Sequence, residues 1–427
     1  MKHLSLHIMA QSPLAIRSDH AEGGASTAQY IPGATLLGSL AAAHRILYPQ
    51  DDEKFTALFL NEQVSFPHLY PAFFKEKDIR VSGLPVMPIP KTAQTCKRFS
   101  GFKPLPDDED TDEDTDEERH GIRDTLLDWA VFSLLERESE QHTLTALLAP
   151  LKKQDSCAHA DCHQAMEQVS GYYRRDRDEP HLRAKALIHT RLQTRTGINR
   201  DWGIVEERIL YNREVFDEGM RFWGEVLLPD ELADTFMQFI KKADDEHVIR
   251  IGTARTRGLG CVKVTTREAR PENIAHFTER LVNFDATLKK QAQDSHAGGL
   301  DPFYFAVTLY SSSILCDQFL RYRKSLDGAM LGKMLNQPGI RFKRVYQVTG
   351  IKRISGWNEL WGTPRMNDYA LETGSTFLFS CSSAPDKDNK LLQALYAFEE
   401  TGIGRRWSEG FGRVRISDPF HLEGEQS

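Results

Sequence analysis

The sequence predicts an α+β protein made of two tandem β-α-β-β-α-β units, residues 1–288 and 301–427, with a large insertion in the first. Three observations lead there. A glycine-rich segment occurs twice, as IGTARTRGLGCVKV at Ile251–Val264 and as IGRRWSEGFGRVRI at Ile403–Ile416. Each copy follows a strand-like and then a helix-like stretch. Each half also opens on an alternating apolar segment, and only the first half is too long for one unit.

Leu4–Ala10 alternates apolar and polar residues and reads as the first strand, as does Phe303–Leu309 in the second half. Ile31–Ala43 reads as a turn entering a helix, whose small residues allow close approach to a sheet; Asp327–Leu335 holds the comparable place later. Gly219–Val226 and Gly374–Ser380 read as strands, followed by helical stretches at Glu231–Lys242 and Lys390–Glu400. The glycine loop and a final strand close each set. This order is ferredoxin-like (RRM-like) and fits better than one doubly wound sheet. The polar stretch Lys289–Leu300 is the expected joint. The insertion covers about residues 60–185, with a helical block at Thr125–Glu138.

The net charge of −7 argues superficially against nucleic acid, but one segment carries it. Asp107–Glu118 holds ten carboxylates in twelve residues, and without them the balance is +3. Dense like charge of this kind is ordinarily a solvated loop; its functional reading is a nucleic-acid mimic or partner tail. The slightly basic remainder, with its arginine clusters, is compatible with a polyanion. No run approaches the roughly 18 apolar residues of a membrane helix. Histidines interrupt the first apolar stretch as no secretory signal would, and six cysteines are few. The expected compartment is a reducing cytoplasm.

Glycine-rich loops let phosphate approach the main chain, and guanidinium groups add bidentate contacts. Arg255, Arg257, Gly258 and Gly260 form the first candidate site. Arg405, Arg406, Trp407, Gly410, Gly412 and Arg413 form the second, with the indole available to stack on a base. The alternative for either loop alone is a tight turn between helix and strand. Neither loop is a G-x-x-x-x-G-K-[ST] phosphate loop. Neither opens a helix after a strand, as a dinucleotide fingerprint does. An extended RNA strand across a sheet fits better.

Arg191, Arg195 and Arg200, with Trp202, could extend that surface, or form a solvated basic loop; Tyr172–Arg175 pairs aromatic and basic residues more weakly. Cys96, His120, Cys157 and Cys162 are the preferred ligands of a structural zinc, which would order an insertion lacking a large core. His159 and His163 are close alternatives to His120. Cys261, Cys316 and Cys381 sit in apolar contexts and read as small core residues. His44 and His20 are the candidates for an acid–base role in RNA cleavage, neither with an evident lysine or tyrosine partner. No G-x-S-x-G or H-E-x-x-H motif occurs.

The repeated glycine loops, Gly252–Gly260 and Gly404–Gly412, resemble the loop before the last strand in the RAMP superfamily of CRISPR proteins. Ile31–Gly38 resembles that family's Pro-Gly-Ser-x-x-Arg-Gly helix start, departing at Ala34 and Leu37, and Thr190–Phe222 is similar to an arginine-rich family segment. Two fused copies with an insertion most resemble the large RAMP subunit of type III-D effector complexes. The resemblance implies a crRNA-binding subunit that caps the 5′ handle in antiviral defence. It would contact the large signalling subunit and the RAMP backbone subunits, and would not itself cut. Some relatives are metal-independent crRNA-processing endoribonucleases, which is the alternative for His44 or His20.

Overall fold

The computed structural model describes residues 1–17, 26–74, 85–103, 119–137, 148, 151, 156–159, 162–175, 183–198, 205–358, 361–385 and 389–422. His20, Arg200, Trp202 and the acidic run 107–118 lie outside the described residues.

The chain is mixed α/β, with several antiparallel sheets. Two four-stranded sheets dominate. The first contains β1 (Lys2–Ala10), β2 (Tyr70–Pro71), β3 (Arg221–Leu228) and β4 (Val262–Glu268), in the order β4-β1-β3-β2. The second contains β5 (Phe303–Leu309), β6 (Phe342–Val348), β7 (Thr376–Cys381) and β8 (Val414–Ile416), in the equivalent order β8-β5-β7-β6. Every neighbouring pair is antiparallel.

In β1, Leu4, Leu6, Ile8 and Ala10 alternate into the core. Helix α1 (Gly33–Leu47) lays Leu36, Leu40 and Ala43 on that side, and the short α2 (Asp52–Phe59) follows it. After the insertion, α4 (Asp230–Asp245) adds a stripe of Ala233, Phe236, Ile240 and Ala243.

The second sheet is covered on both faces, which explains why β5 and β7 are buried at every position instead of alternating. One cluster joins Phe305, Val307, Phe377 and Phe379 to α6 (Gly328–Met334) through Leu331, and to α7 (Asn389–Thr401) through Leu391, Leu395 and Phe398. Another joins Tyr304, Ala306 and Leu378 to the insertion's helix α3 (Leu126–Glu136) and to α5 (Ile274–Asp294).

Three features differ from the sequence reading. Residues 289–294 continue helix α5, because Leu288 and Ala292 extend its buried stripe beyond the polar residues that suggested a linker. The insertion also serves the other sheet: α3 packs Ala130, Val131 and Leu134 on the second sheet's side of the molecule. Tyr70–Pro71, within the bounds read for the insertion, is instead β2 of the first sheet; the other described strands of the insertion form two three-stranded sheets, and a long hairpin, Thr190–Ile198 with Val205–Phe216, follows it. No described helix is long and apolar enough to cross a membrane.

Candidate nucleic-acid interface and metal centre

The two glycine loops have the same backbone. Each is a single 3-10 turn between two left-handed residues, Ala254 and Gly258 in the first, Arg406 and Gly410 in the second. Thr253 N–H donates to the Ala15 carbonyl at 2.9 Å, and Arg405 N–H donates to the Ile314 carbonyl at 3.0 Å. The glycines are demanded twice over. A Cβ on Gly252 would lie 2.5 Å from the Ala15 oxygen, and one on Gly404 would lie 2.6 Å from the Ile314 oxygen, both at φ +89°.

The surroundings of the loops differ. In the first, Leu259 packs with Ala15 and Val215, while Arg255, Thr256, Arg257 and Gly258 are exposed. Nothing lies within 4 Å of a Cβ added to Gly258. Its side of the turn is open enough for a phosphate to approach the main chain.

The second loop is pressed onto the first lobe. Phe66 N–H donates to the Ser408 carbonyl, and Ser65 Oγ donates to the Trp407 carbonyl, both at 2.9 Å. A Cβ on Gly410 would fall 2.5 Å from the Phe66 oxygen. Gly33 at the start of α1 has no room either: its Cβ would sit 2.2 Å from the Glu409 oxygen. Phe411 meets His68 edge-on at 4.9 Å.

This contact removes most of the second loop from the candidate RNA surface. Arg406 is held by Asp368 at 2.9 Å and Glu409 at 2.6 Å, and Glu409 also takes both terminal nitrogens of Arg365 at 3.1 and 3.0 Å. Burial pushes the Glu409 carboxyl up, but hydrogen bonds from Arg406 and Arg365 outweigh it and hold the group below its ordinary range. Arg413 donates to Ser65 Oγ at 3.2 Å and to the Glu225 carbonyl at 3.1 Å, and burial lowers its pKa. Its guanidinium joins the two lobes and does not present itself to phosphate. Trp407 lines a shallow depression beside Met1, Gln63, Asp230 and Glu231, where two carboxylates would repel an RNA strand. The Gly410 and Gly412 amides donate to Trp407 and Ser312 carbonyls at 2.9 Å, and the Gly260 amide to Pro13 at 3.1 Å. These three glycines shape the loops and do not offer donors to a ligand. Arg405 remains exposed.

Elsewhere, Arg191 on the long hairpin is exposed and flanked by Asp217 at 3.5 Å and Glu218 at 3.3 Å; Arg195 donates to Gln193 Oε1 at 3.2 Å. Tyr172, Tyr173 and Arg174 are buried, and Arg175 pairs with Asp418 at 3.2 Å, so this segment ties the insertion to the C-terminal residues and is no RNA surface. His44 is 1% exposed among Tyr48, Phe55, Phe59 and Phe239, and burial lowers its pKa. A histidine in that cluster cannot reach a ribose hydroxyl. Cys381 is a core residue as expected, whereas Cys261 and Cys316 are only half-buried.

The insertion brings Cys96, His120, Cys157 and Cys162 together, with one ligand atom from each lying within 4.8 Å of the others. Cys96 ends a strand (Ala93–Cys96), and Phe99 N–H points at its sulfur at 3.5 Å. Main-chain hydrogen bonds fix both Cys157 and Cys162. Cys157 N–H donates to the Gln164 carbonyl at 2.8 Å and Cys162 N–H to the His159 carbonyl at 3.1 Å. Sulfurs of Cys96 and Cys162 are 3.6 Å apart, and His120 Nδ1 is 3.2 Å from the Cys157 sulfur. His159 stacks on His120 with ring centres 4.1 Å apart. Such a group could hold a metal ion.

An antiparallel α/β chain with a glycine loop before the last strand of each sheet defines the class of protein. The sequence pattern of the RAMP superfamily matches residues 7–263, more than half of the chain, and the protein belongs to that superfamily. No curated protein matches the sequence. Among solved structures, a chain of the type III-B Cmr-beta complex bound to cognate target RNA and AMPPnP is 11% identical, with 94% of this chain and 90% of that chain covered, at a TM-score of 0.38. A Cas6 product complex gives 9% identity, 97% and 99% coverage and a TM-score of 0.36. Cmr4 gives 16% identity, 63% and 100% coverage and a TM-score of 0.25.

Proposed function

We propose that this chain is an RNA-binding subunit of a type III CRISPR ribonucleoprotein effector complex, capping the 5′ handle of the crRNA beside the large signalling subunit and the RAMP backbone subunits. Membership of the RAMP superfamily supports the class. The observation that carries the RNA-binding reading is the first glycine loop, where Arg255 and Arg257 stand exposed on a turn whose Gly258 face is open. The two sheets, with equivalent strand orders, are read as tandem ferredoxin-like domains, 1–288 and 301–427.

The protein is read as non-catalytic. Incubation with repeat RNA without divalent metal tests this, and a specific cut would overturn it. Filter binding to single-stranded RNA tests the main reading. Affinity should fall with salt as counterions are released, and should fall again when Arg255 and Arg257 become alanine.

The Cys96, His120, Cys157 and Cys162 group is read as a structural zinc centre. Tetrahedral zinc with Zn–S bonds of about 2.3 Å separates its sulfurs by roughly 3.8 Å, and the 3.6 Å between Cys96 and Cys162 fits that chemistry. Three thiolates and an imidazole complete the shell, leaving no position for a reacting water. The ion's contribution would be to fix the loops carrying its ligands.

A further inference from the structure

Several large, exposed apolar side chains of the second lobe lie on one arm. Trp357 is 49% exposed, Trp361 80%, Met366 91% and Tyr369 50%. They belong to an arm between β6 and β7, made of the hairpins Ile351–Ile354 with Asp368–Leu371 and Trp357–Asn358 with Thr363–Pro364. Tyr322, from the turn after β5, meets Tyr369 edge-on at 5.6 Å and donates to Asp368 at 2.8 Å. A patch this dense in large rings marks an interaction site.

The arm is anchored to its surroundings. Arg365 grips Glu409, Arg406 grips Asp368, and Lys352 donates to Tyr30 Oη of the first lobe at 2.9 Å. The rings are therefore held on a fixed support.

The charge around them favours a polyanion. Asp317 is engaged by Arg321 at 2.8 Å and Asp368 by Arg406, so both carboxylates are neutralised in place. Arg17, Arg323, Lys324 and Arg405 are exposed cations. Arg17 also links this patch to the first glycine loop. Its guanidinium lies 6.0 Å from the Trp357 ring centre, and the neighbouring Ile16 side chain packs beneath Gly252. Rings and cations thus continue from the open loop to the arm.

We infer that the arm stacks bases of the single-stranded RNA whose phosphates the first glycine loop holds, through Trp357, Trp361 and Tyr369. Every base has a π-face, so this recognition is tolerant of sequence, and Arg17 adds a cation beside the stack. The inference rests on the RNA-binding reading of the loop, and its test separates the two.

The full chain is titrated, by fluorescence anisotropy, with labelled oligouridine and with an abasic oligoribonucleotide of equal length. The wild type should prefer oligouridine by about tenfold or more, since each stacked base is worth about fivefold or more. Trp357→Ala with Trp361→Ala should remove most of that preference, leaving the share Tyr369 carries, and leave abasic binding and its salt dependence unchanged. Trp361→Ala alone, at the most exposed ring, should lose part of it. Arg255→Ala with Arg257→Ala should weaken both ligands alike. A wild type that binds both ligands equally, or tryptophan variants that keep the preference, would overturn the stacking role. So would tryptophan variants that lose a protein partner from the assembled complex while their RNA affinity stays intact. A wild type that binds neither ligand removes the loop reading as well.

Discussion

Gly258 and Gly410 occupy the same position in the two loops, with φ/ψ of +82°/9° and +84°/9°. Changing each to alanine imposes the same left-handed strain, roughly 1–2 kcal/mol. Loss of glycine's freedom in the unfolded chain returns about 0.4–1 kcal/mol of this. Gly258→Ala meets nothing within 4 Å, so its net cost should be no more than about 1.6 kcal/mol. Gly410→Ala places its methyl 2.5 Å from the Phe66 oxygen and 2.8 Å from the His68 nitrogen, both main-chain atoms of the other lobe. Relief requires the lobes to part, at about 1–3 kcal/mol for overpacking. It also strains the Phe66–Ser408 and Ser65–Trp407 hydrogen bonds, worth about 0.5–1.5 kcal/mol each. The expected difference between the variants is at least about 2 kcal/mol. Urea unfolding followed by tryptophan fluorescence measures it, with Trp407 reporting on the contact itself. Limited proteolysis of Gly410→Ala should show earlier separation of the lobes. Equal costs for the two substitutions, or a larger cost for Gly258→Ala, would refute the assignment of the second loop to the lobe contact.

Arg255→Ala with Arg257→Ala should reduce the salt slope of RNA binding by about 1.4, whereas Arg413→Ala should leave the slope alone and lower stability; filter binding and thermal melts distinguish them. Metal analysis of protein purified without added metal should find about one zinc per chain, and Cys96→Ser should lose it and expose the insertion to protease. His3 is pulled down by burial, but Glu225 at 3.2 Å and Glu400 at 3.4 Å outweigh this and raise its pKa. Its contribution is fully present below the unfolded value of about 6.5 and lost as pH rises through the higher folded value. Stability of the wild type should therefore decline over that window more than stability of His3→Gln, as unfolding midpoints across pH would show.

The duplicated loop was legible because its backbone requires glycine at set offsets, and an obligate positive φ leaves a mark in sequence. The strand Phe303–Leu309 was legible as a strand, although the alternation read there is absent because both faces of its sheet are covered, and the four residues of the candidate metal site were legible from their sulfur and imidazole chemistry. The continuation of α5 through residue 294 was hidden, because three consecutive polar residues, 289–291, interrupt the apolar pattern between Leu288 and Ala292, which complete its buried stripe. The exposed ring surface at Trp357 and Trp361 was hidden as well, since tryptophan in a sequence is equally compatible with a core. One local signal did distinguish the loops: Glu409 stands where the first loop has Arg257, and it is the acid that engages Arg406 and Arg365.

By itself the sequence determined the local conformations: the paired turns, the amphipathic helices and the donor types of the candidate metal site. These depend on steric limits and side-chain chemistry within a few residues. The tertiary structure alone decided that one glycine loop faces solvent while its twin is clamped between lobes, and that Arg413 serves that clamp. Burial and ion pairing depend on atoms hundreds of residues away, such as Ser65 and Phe66, whose approach no local pattern encodes.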